Sequence, residues 1–509
     1  MNNLSNLSWA FLTLLAGMLL TLSFAPLSYS YLALVSLALL FYSWLDCTPL
    51  QAAIRGYCFG LGMFSLGVTW VFVSIYFYGH ASVFASALLS ESFAAFWALF
   101  PALAGYLSVR LSHLTHQRFL LGLTPLIWIL IEYVRGYWLL NGFPWLQVAY
   151  SQIDSPYAGF MPLFGVYGTG FLYAFTAALF SDMLYFKRQY LLLSTTVILL
   201  ILSGCLLKHI EWTTKAGAPI QATLVQGNIG QDEKWQEDRL LKTLLTYQQM
   251  TYSHWDSQVI LWPETSIPTY LSRVDEAFLI PLERQAIAHH TDLIVSLLEK
   301  NNETGAVFNS ALVLGQKRGL YRKNHLLPFG EYMPLKPLST WVLDNIGIRL
   351  DDFTPGGDNQ PLLTAAGYPF ITSICYEDAF GSEAINQISQ AAYLVNLSND
   401  GWFGRSFEPY QHLQMARMRA IETGRYLLRS TNTGATAIIA PNGKIIKQAP
   451  LFETVSITGT IFPMSGATPY SRLGDKNIII FLTLLLMTLL GISRRKQIIL
   501  LLRGGSGLS

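Results

Sequence analysis

Apolar and polar positions are segregated along this chain of 509 residues. Charged side chains are nearly absent from 9 to 207. They return from 209 to 475 in the pattern of an ordinary globular domain, and residues 477–492 are apolar again. A helix crossing a bilayer needs about 20 apolar residues. Eight stretches approach that length, near 8–26, 30–46, 54–78, 82–109, 119–138, 159–185, 189–207 and 476–493. The first has no basic n-region and no small-residue cleavage site, and further apolar stretches follow at once. It reads as a retained helix rather than a cleaved signal peptide.

Between the seventh and eighth stretches, β-rich runs alternate with helical periodicity. Strands are expected at Pro219–Gln226, Gln258–Trp262, Asp292–Leu298, Val307–Gly315, Pro369–Cys375 and Ala392–Leu397, with more near 427–431, 435–440, 444–448 and 455–461. Helices are expected at Asp238–His254, 275–290, Gly381–Ser389 and Pro409–Gly424. That succession predicts a layered α/β domain. The stretch 332–367 is long and poorly patterned, which suggests a functional arm rather than a connection. The expected division is a seven-helix membrane part (1–208), a catalytic domain (209–475), and a last helix with its tail (476–509).

Composition sharpens this picture. The chain is 52% hydrophobic and 13% charged, about half the charged fraction of a soluble protein. A net charge of +2, with no basic cluster interleaved with aromatics, argues against nucleic acid as a partner. Basic residues sit on alternate loops: Arg55, then Arg110 and Arg118, then Lys187 and Arg188, then Arg494, Arg495 and Lys496. The loops Ala25–Tyr31 and Gly79–Ala81 have none. Both termini and all these residues are expected on the cytoplasmic side, and the polar domain on the other. Glu91 and Glu132 lie inside apolar stretches, where charge is costly. Glu132 and Arg135, three apart on one helix, can pair; a lipid-headgroup contact is the alternative. Gly56 and Gly60 form a Gly-x-x-x-Gly, a weak signal in a glycine-rich membrane protein.

The cysteines are Cys47, Cys58, Cys205 and Cys375. The first three fall in or beside apolar stretches and read as small fillers. No metal-ligand spacing occurs, so neither a metal nor a cofactor is expected. Cys375 is alone in the polar domain and has no disulfide partner there. It follows the apolar run Phe-Ile-Thr-Ser-Ile, as Glu264 follows Val-Ile-Leu-Trp-Pro; Lys323 precedes His-Leu-Leu-Pro-Phe-Gly-Glu-Tyr. A glutamate, a lysine and a cysteine in this order can make and break acyl-enzyme bonds. Glu264 is the candidate base. Lys323, with a backbone amide near Tyr376, is the candidate oxyanion holder. Glu331, past a Pro-Phe-Gly turn, is placed to hold the lysine. Glu377, two residues from the cysteine, would share its face on a strand. Taken singly, each has an ordinary alternative: a buried filler thiol, a helix-terminal glutamate, a solvated lysine. His325 reads as a structural hydrogen-bonder.

The segments Trp262-Pro263-Glu264-Thr265, Lys323 to Tyr332 and Ile374 to Asp378 resemble the Glu-Lys-Cys triad of the nitrilase superfamily. Val225 to Ile229, Lys234-Trp235, Phe308-Asn309-Ser310-Ala311, Asn399 to Gly404, Gln411-His412 to Arg419, Asn432-Thr433-Gly434 and Gly142 to Trp145 resemble the membrane-bound apolipoprotein N-acyltransferases of bacteria. The resemblance covers essentially the whole chain. It implies eight transmembrane helices plus a nitrilase-like αββα sandwich, and a bacterial inner-membrane location with a periplasmic catalytic domain. It implies acyl transfer from the sn-1 position of a phospholipid, through a Cys375 thioester, to the α-amine of a diacylglyceryl apolipoprotein. Asn309 and Trp235 are implied as supporting residues. Trp402, Phe403, Phe143 and Trp145 are candidates for contact with the membrane interface; core packing is the alternative for Trp402. Two rival readings stand beside this one, a membrane-tethered amidase and a ligand-binding transporter or receptor.

Overall fold

A computed structural model describes residues 5–114, 120–187, 190–336 and 352–504. Arg118 and Arg188 lie outside the described residues, as does much of the 332–367 arm. The chain forms two compact units. One holds residues up to Thr69, Ala87–Ile210 and the chain from Leu473 on; the other holds Trp70–Ser86 and Glu211–Arg472.

The first unit is helical. Among the described residues, Val83–Ser112, Gly122–Asn141, Pro156–Phe186, Tyr190–Leu207 and Pro469–Ile492 are each long and apolar enough to cross a membrane. Pro49–Gly67 and Trp70–Tyr78, bent by 50°, make a sixth if they are one span. The eight stretches of the sequence also include two shorter apolar helices, Asn6–Thr21 and Tyr31–Ser43. Small residues set the spacing of this bundle. A Cβ on Gly56 would lie 2.3 Å from the Pro101 carbonyl oxygen, and one on Gly60 2.6 Å from the Ala98 Cα. The Gly-x-x-x-Gly therefore seats the helix Leu99–Leu114 against Pro49–Gly67. Glu91 accepts a hydrogen bond from Ser65 at 2.7 Å. Glu132 and Arg135 both engage the backbone at 143–148: Val148 N–H donates to Glu132 at 3.4 Å, and Arg135 Nη1 donates to the carbonyls of Phe143 and Trp145 at 2.6 and 2.7 Å.

The second unit is a sandwich of two sheets. Its strands are β1 Thr213–Lys215, β2 Ile220–Gln226, β3 Val259–Leu261, β4 Ile267–Tyr270, β5 Asp292–Lys300, β6 Val307–Leu314, β7 Gly319–Arg322, β8 Leu363–Ala365, β9 Tyr368–Ile374, β10 Tyr393–Ser398, β11 Leu427–Thr431, β12 Ala437–Ile439, β13 Ile445–Gln448, β14 Val455–Ile461 and β15 Met464–Gly466. One sheet runs β14-β2-β3-β5-β6-β7, with β4 also paired to β5. The other runs β13-β12-β11-β10-β9-β8, and β1 pairs with β15. The central pairs β2–β3, β3–β5, β9–β10 and β10–β11 are parallel. β4 also pairs with β5 in parallel, and the other flanking pairs are antiparallel.

Side-chain alternation builds the layers. Ala222, Leu224, Val259, Leu261 and Ile294 point inward and meet Phe370, Ile374, Val395, Leu397 and Leu428 of the other sheet. The opposite face of the first sheet, with Ile260, Trp262, Leu293 and Val295, is covered by Leu244 and Tyr247 of the helix Glu237–Tyr252 and by Leu282 and Ala286 of Ile280–Ala288. The outer face of the second, with Ile371, Leu394 and Leu427, is covered by Leu413, Ala416 and Ala420 of the helix Glu408–Thr423. The result is a four-layer αββα domain.

Candidate active site

Three short segments at strand ends carry the site. Strand β3 ends at Leu261, and the chain turns through Trp262-Pro263 into Glu264. Trp262 is fully buried, and its indole N–H donates to Thr251 Oγ1 at 2.9 Å. The next residue, Thr265, has φ +48° and donates its N–H to Ser296 Oγ at 3.0 Å, which fixes the turn. Lys323 follows β7 and extends the ladder, its N–H donating to the Asn309 carbonyl at 2.8 Å. Its side chain is 1% exposed.

The Lys323 ammonium lies 2.8 Å from Glu331 Oε2 and 3.9 Å from Glu264 Oε1. Phe329, at φ +62°, turns the chain back so that Glu331 faces the lysine. Glu331 also accepts the Leu327 N–H at 2.8 Å. Asn309 Nδ2 donates to Glu264 Oε1 at 2.8 Å and to Glu331 Oε1 at 3.4 Å, so it spans the two carboxylates. Burial works against the lysine charge, but Glu331 and Glu264 override it and raise the Lys323 pKa. Lys323 therefore stays an ammonium throughout the neutral range.

Cys375 stands just past the end of β9, whose last residue, Ile374, lies opposite Leu397 of the parallel neighbour β10. It has φ +54°, a left-handed conformation that costs a non-glycine residue of order 1–3 kcal/mol. Strand β9 stops at Ile374, and Cys375–Ala379 forms a 3₁₀ turn. This corrects the expectation that Glu377 shares the cysteine's face on a strand. Glu377 instead lies under the turn, 1% exposed. Its carboxylate accepts the N–H groups of Ile374, Asn324 and His325 at 2.7, 2.6 and 3.1 Å, and the Tyr321 hydroxyl at 2.9 Å. It ties the cysteine turn to the chain just after Lys323. Burial pushes the Cys375 thiol up to about 12; Glu264 adds to the rise, while Lys323 and His412 oppose it. Glu264 and Lys323 thus act on the sulfur as well as on each other.

Below the turn lies a buried polar cluster whose interplay the sequence did not reveal. His412 Nε2 donates to Asp378 at 2.7 Å, and Nδ1 lies 3.2 Å from Asp400 and 3.3 Å from Glu408. Arg429 donates to Asp378 at 3.0 Å, to Asp400 at 3.2 Å and to the Asn396 side-chain oxygen. Asn396 Nδ2 in turn donates to Ser373 Oγ at 2.9 Å and to the Cys375 carbonyl at 3.4 Å. Asp400, Glu408 and His412 approach as metal ligands do, but here a guanidinium and an imidazole already answer the acidic groups. Burial and Arg429 push the His412 pKa down, Asp378 and Asp400 push it up, and the net shift is well upward. The one signal in the sequence was Arg429 inside an expected strand, after Leu427-Leu428, a charge that a core position admits only with partners.

The remaining predicted residues divide. Trp402 is 39% exposed, so core packing is not its environment; its ring meets Tyr78 edge-on at 5.8 Å, and Phe403 meets Trp70 at 5.0 Å. Trp235 is also exposed. Tyr376 is buried, its ring edge-on to Phe380 at 5.2 Å. Phe143 and Trp145, expected at a membrane interface, are instead 6% and 3% exposed. Phe143 stacks on Trp97 at 5.0 Å, and Arg135 pins both backbone carbonyls inward.

The second unit is thus a paired-sheet αββα sandwich of the carbon-nitrogen hydrolase class, with an acid, a lysine and a cysteine at its strand ends. Residues 221–470 match the carbon-nitrogen hydrolase family, and residues 16–179 match the apolipoprotein N-acyltransferase N-terminal domain. Apolipoprotein N-acyltransferases of Methylococcus capsulatus, Nitrosomonas europaea and Coxiella burnetii are 47%, 41% and 40% identical to this chain. The matches cover 91%, 91% and 94% of it, and 92%, 93% and 99% of those proteins. The chain belongs to the apolipoprotein N-acyltransferase family.

Proposed function

We propose that this protein performs the last step of lipoprotein maturation, moving an acyl chain from the sn-1 ester of a phospholipid to the α-amine of a diacylglyceryl apolipoprotein. The observation that carries the reading is the Lys323 ammonium held between Glu331 and Glu264, with the strained Cys375 turn in the same electrostatic field. The thiol is neutral at rest, so attack needs a base. Glu264 takes the thiol proton as sulfur bonds to the ester carbonyl carbon. Lys323, with a backbone amide near Tyr376, holds the oxyanion. Collapse breaks the ester C–O bond, and the departing lysophospholipid oxygen receives the proton from Glu264. The acyl chain remains as a thioester. In the second half, the apolipoprotein amine attacks that carbonyl and gives a proton to Glu264. The C–S bond breaks, the amide forms, and the proton returns to sulfur. Two substrates using one site in turn give ping-pong kinetics.

Glu331 and Asn309 hold Lys323 and Glu264 in place, Glu377 holds the cysteine turn, and exposed Trp235 contacts substrate in this reading. Trp402 and Phe403 sit at the membrane interface, where Trp is favoured. The chain spans a bacterial inner membrane eight times, as 1–208 and 476–509, with 209–475 on the periplasmic side and both termini in the cytoplasm. Support for this orientation comes from Arg55 in the first half of the helix Pro49–Gly67, Arg110 in the last turn or so of Leu99–Leu114, and Lys187 just after Pro156–Phe186. An amidase acting on a small soluble amide would have no use for such a membrane part.

Cys375→Ala and Cys375→Ser are expected to lower transfer from phospholipid to an apolipoprotein peptide by about a thousandfold or more. Near-parental turnover in either variant would show that Cys375 is not the nucleophile.

A further inference from the structure

Beside the triad stands a second lysine that the proposed reaction does not use. Lys234 ends the short helix Gln231–Lys234 and is 2% exposed. Among the described residues its ammonium makes one hydrogen bond, to the backbone carbonyl of Glu264 at 3.0 Å, and no carboxylate lies within ion-pair distance. A buried ammonium that lacks a close counter-ion is costly. A neutral donor would satisfy the same carbonyl, so the hydrogen bond does not explain the charge.

The charges around the reacting sulfur do explain it. Glu264 and Glu331 are two carboxylates facing one ammonium, Lys323. That group alone carries one negative charge in excess. Moving the thiol proton to Glu264 does not remove the excess, because the negative charge passes to sulfur and then to the oxyanion. Lys234 acts electrostatically on both Glu264 and Cys375. The nearby cluster supplies no surplus cation, since Asp378 and Asp400 are matched by Arg429 and His412. Glu377 is engaged by four donors, and burial, then Glu383, raises its pKa. Glu383 itself pairs with His325. Asp232 and Glu233, on the lysine's own helix, are exposed.

We propose that Lys234 is a positioning residue that acts through its charge. It clamps the backbone of the base Glu264 and supplies the second ammonium that balances the active centre when Cys375 becomes a thiolate. Burial lowers the Lys234 pKa to about 8, against the pull of Glu264 and Cys375. It is therefore mostly charged at neutral pH. This inference rests on Cys375 being the nucleophile and Glu264 its base.

The test follows alkylation of Cys375 by iodoacetamide across a pH series. The full chain is kept in detergent micelles, and the Cys375 peptide is quantified by mass spectrometry. Lys234→Gln keeps a donor for the Glu264 carbonyl and removes the charge; Lys234→Met removes both. Both are expected to react at least tenfold more slowly than the parent at pH 7.5, with the profile displaced upward by about one pH unit. In Lys234→Gln/Glu331→Gln one carboxylate again faces one ammonium, and the rate is expected within about threefold of the parent. A parental profile in Lys234→Gln, with only Lys234→Met slowed, would reduce Lys234 to a hydrogen-bond donor and overturn the charge assignment. Should the single variants not fold, the double variant decides: a rate tenfold or more below the parent overturns the proposal. Failure of the underlying reading shows itself separately, as transfer activity in Cys375→Ala or as alkylation indifferent to Glu264→Gln.

Discussion

Asp400 illustrates how buried charge is kept under the nucleophile turn. Its carboxylate accepts from Ser398, Arg429 and His412 and is fully buried. Burial alone would raise its pKa, but the Arg429 guanidinium and His412 hold it below the usual carboxylate range. A depressed folded pKa contributes stability above the unfolded value of about 3.9, and that contribution is lost as pH falls through the folded value. Asp400→Asn leaves Arg429 underpaired and is expected to cost about 3–5 kcal/mol near pH 7. The gap in thermal midpoint between parent and variant should narrow as the pH drops below about 4. A constant gap from pH 7 to pH 3 would mean that Asp400 is not charged in the folded protein. Apart from the charge of Arg429, this was not legible in the sequence, because Asp378, Asp400, His412 and Arg429 come from four separate segments. Glu264, Lys323 and Cys375 stood out only because each belongs to a recognisable motif.

Elements with enough residues to show a period were legible. The expected strands at Pro219–Gln226, Val307–Gly315, Ala392–Leu397 and 455–461 match β2, β6, β10 and β14 to within about two residues at each end. The short elements β1, β4, β7, β8 and β15 were missed. The expected helix at 275–290 begins with a π-helical turn, Asp275–Leu279, and becomes regular at Ile280–Ala288. The expected strand over Pro369–Cys375 ran one residue too far: a positive φ at a cysteine has no signature in hydrophobic pattern. In the helical unit, Gly56 was an ambiguous mark that packing gives a meaning. Gly56→Leu places a side chain where even a Cβ meets the Pro101 carbonyl oxygen at 2.3 Å. It is expected to lower the detergent-solubilised thermal midpoint by several degrees, as an overpacked core costs about 1–3 kcal/mol. An unchanged midpoint would mean that the helices Pro49–Gly67 and Leu99–Leu114 do not pack this closely.

At the scale of the whole molecule, the division between apolar and mixed composition follows the division into two units closely, with one exception. The segment Trp70–Ser86 is apolar and reads as membrane helix, yet it groups with the sandwich. Its Trp70 indole donates to Gln411 at 3.3 Å, and Tyr78 meets Trp402. Apolar pattern reports the solvent a segment tolerates, not the partner it chooses. β1 pairs with β15, so the first and last strands of the sandwich close on each other. A chain that enters and leaves its domain through one paired ribbon suits a domain joined to helices at both ends.

The proposed reaction turns on a fatty chain carried by one sulfur. The most direct measurement is to incubate the full-length protein with a labelled phospholipid and no acceptor, then map the label by mass spectrometry. The prediction is a stoichiometric acyl group on Cys375, released by hydroxylamine, discharged on addition of an apolipoprotein peptide, and absent in Glu264→Gln. Label on another residue, or transfer that proceeds with Cys375 never acylated, would contradict it.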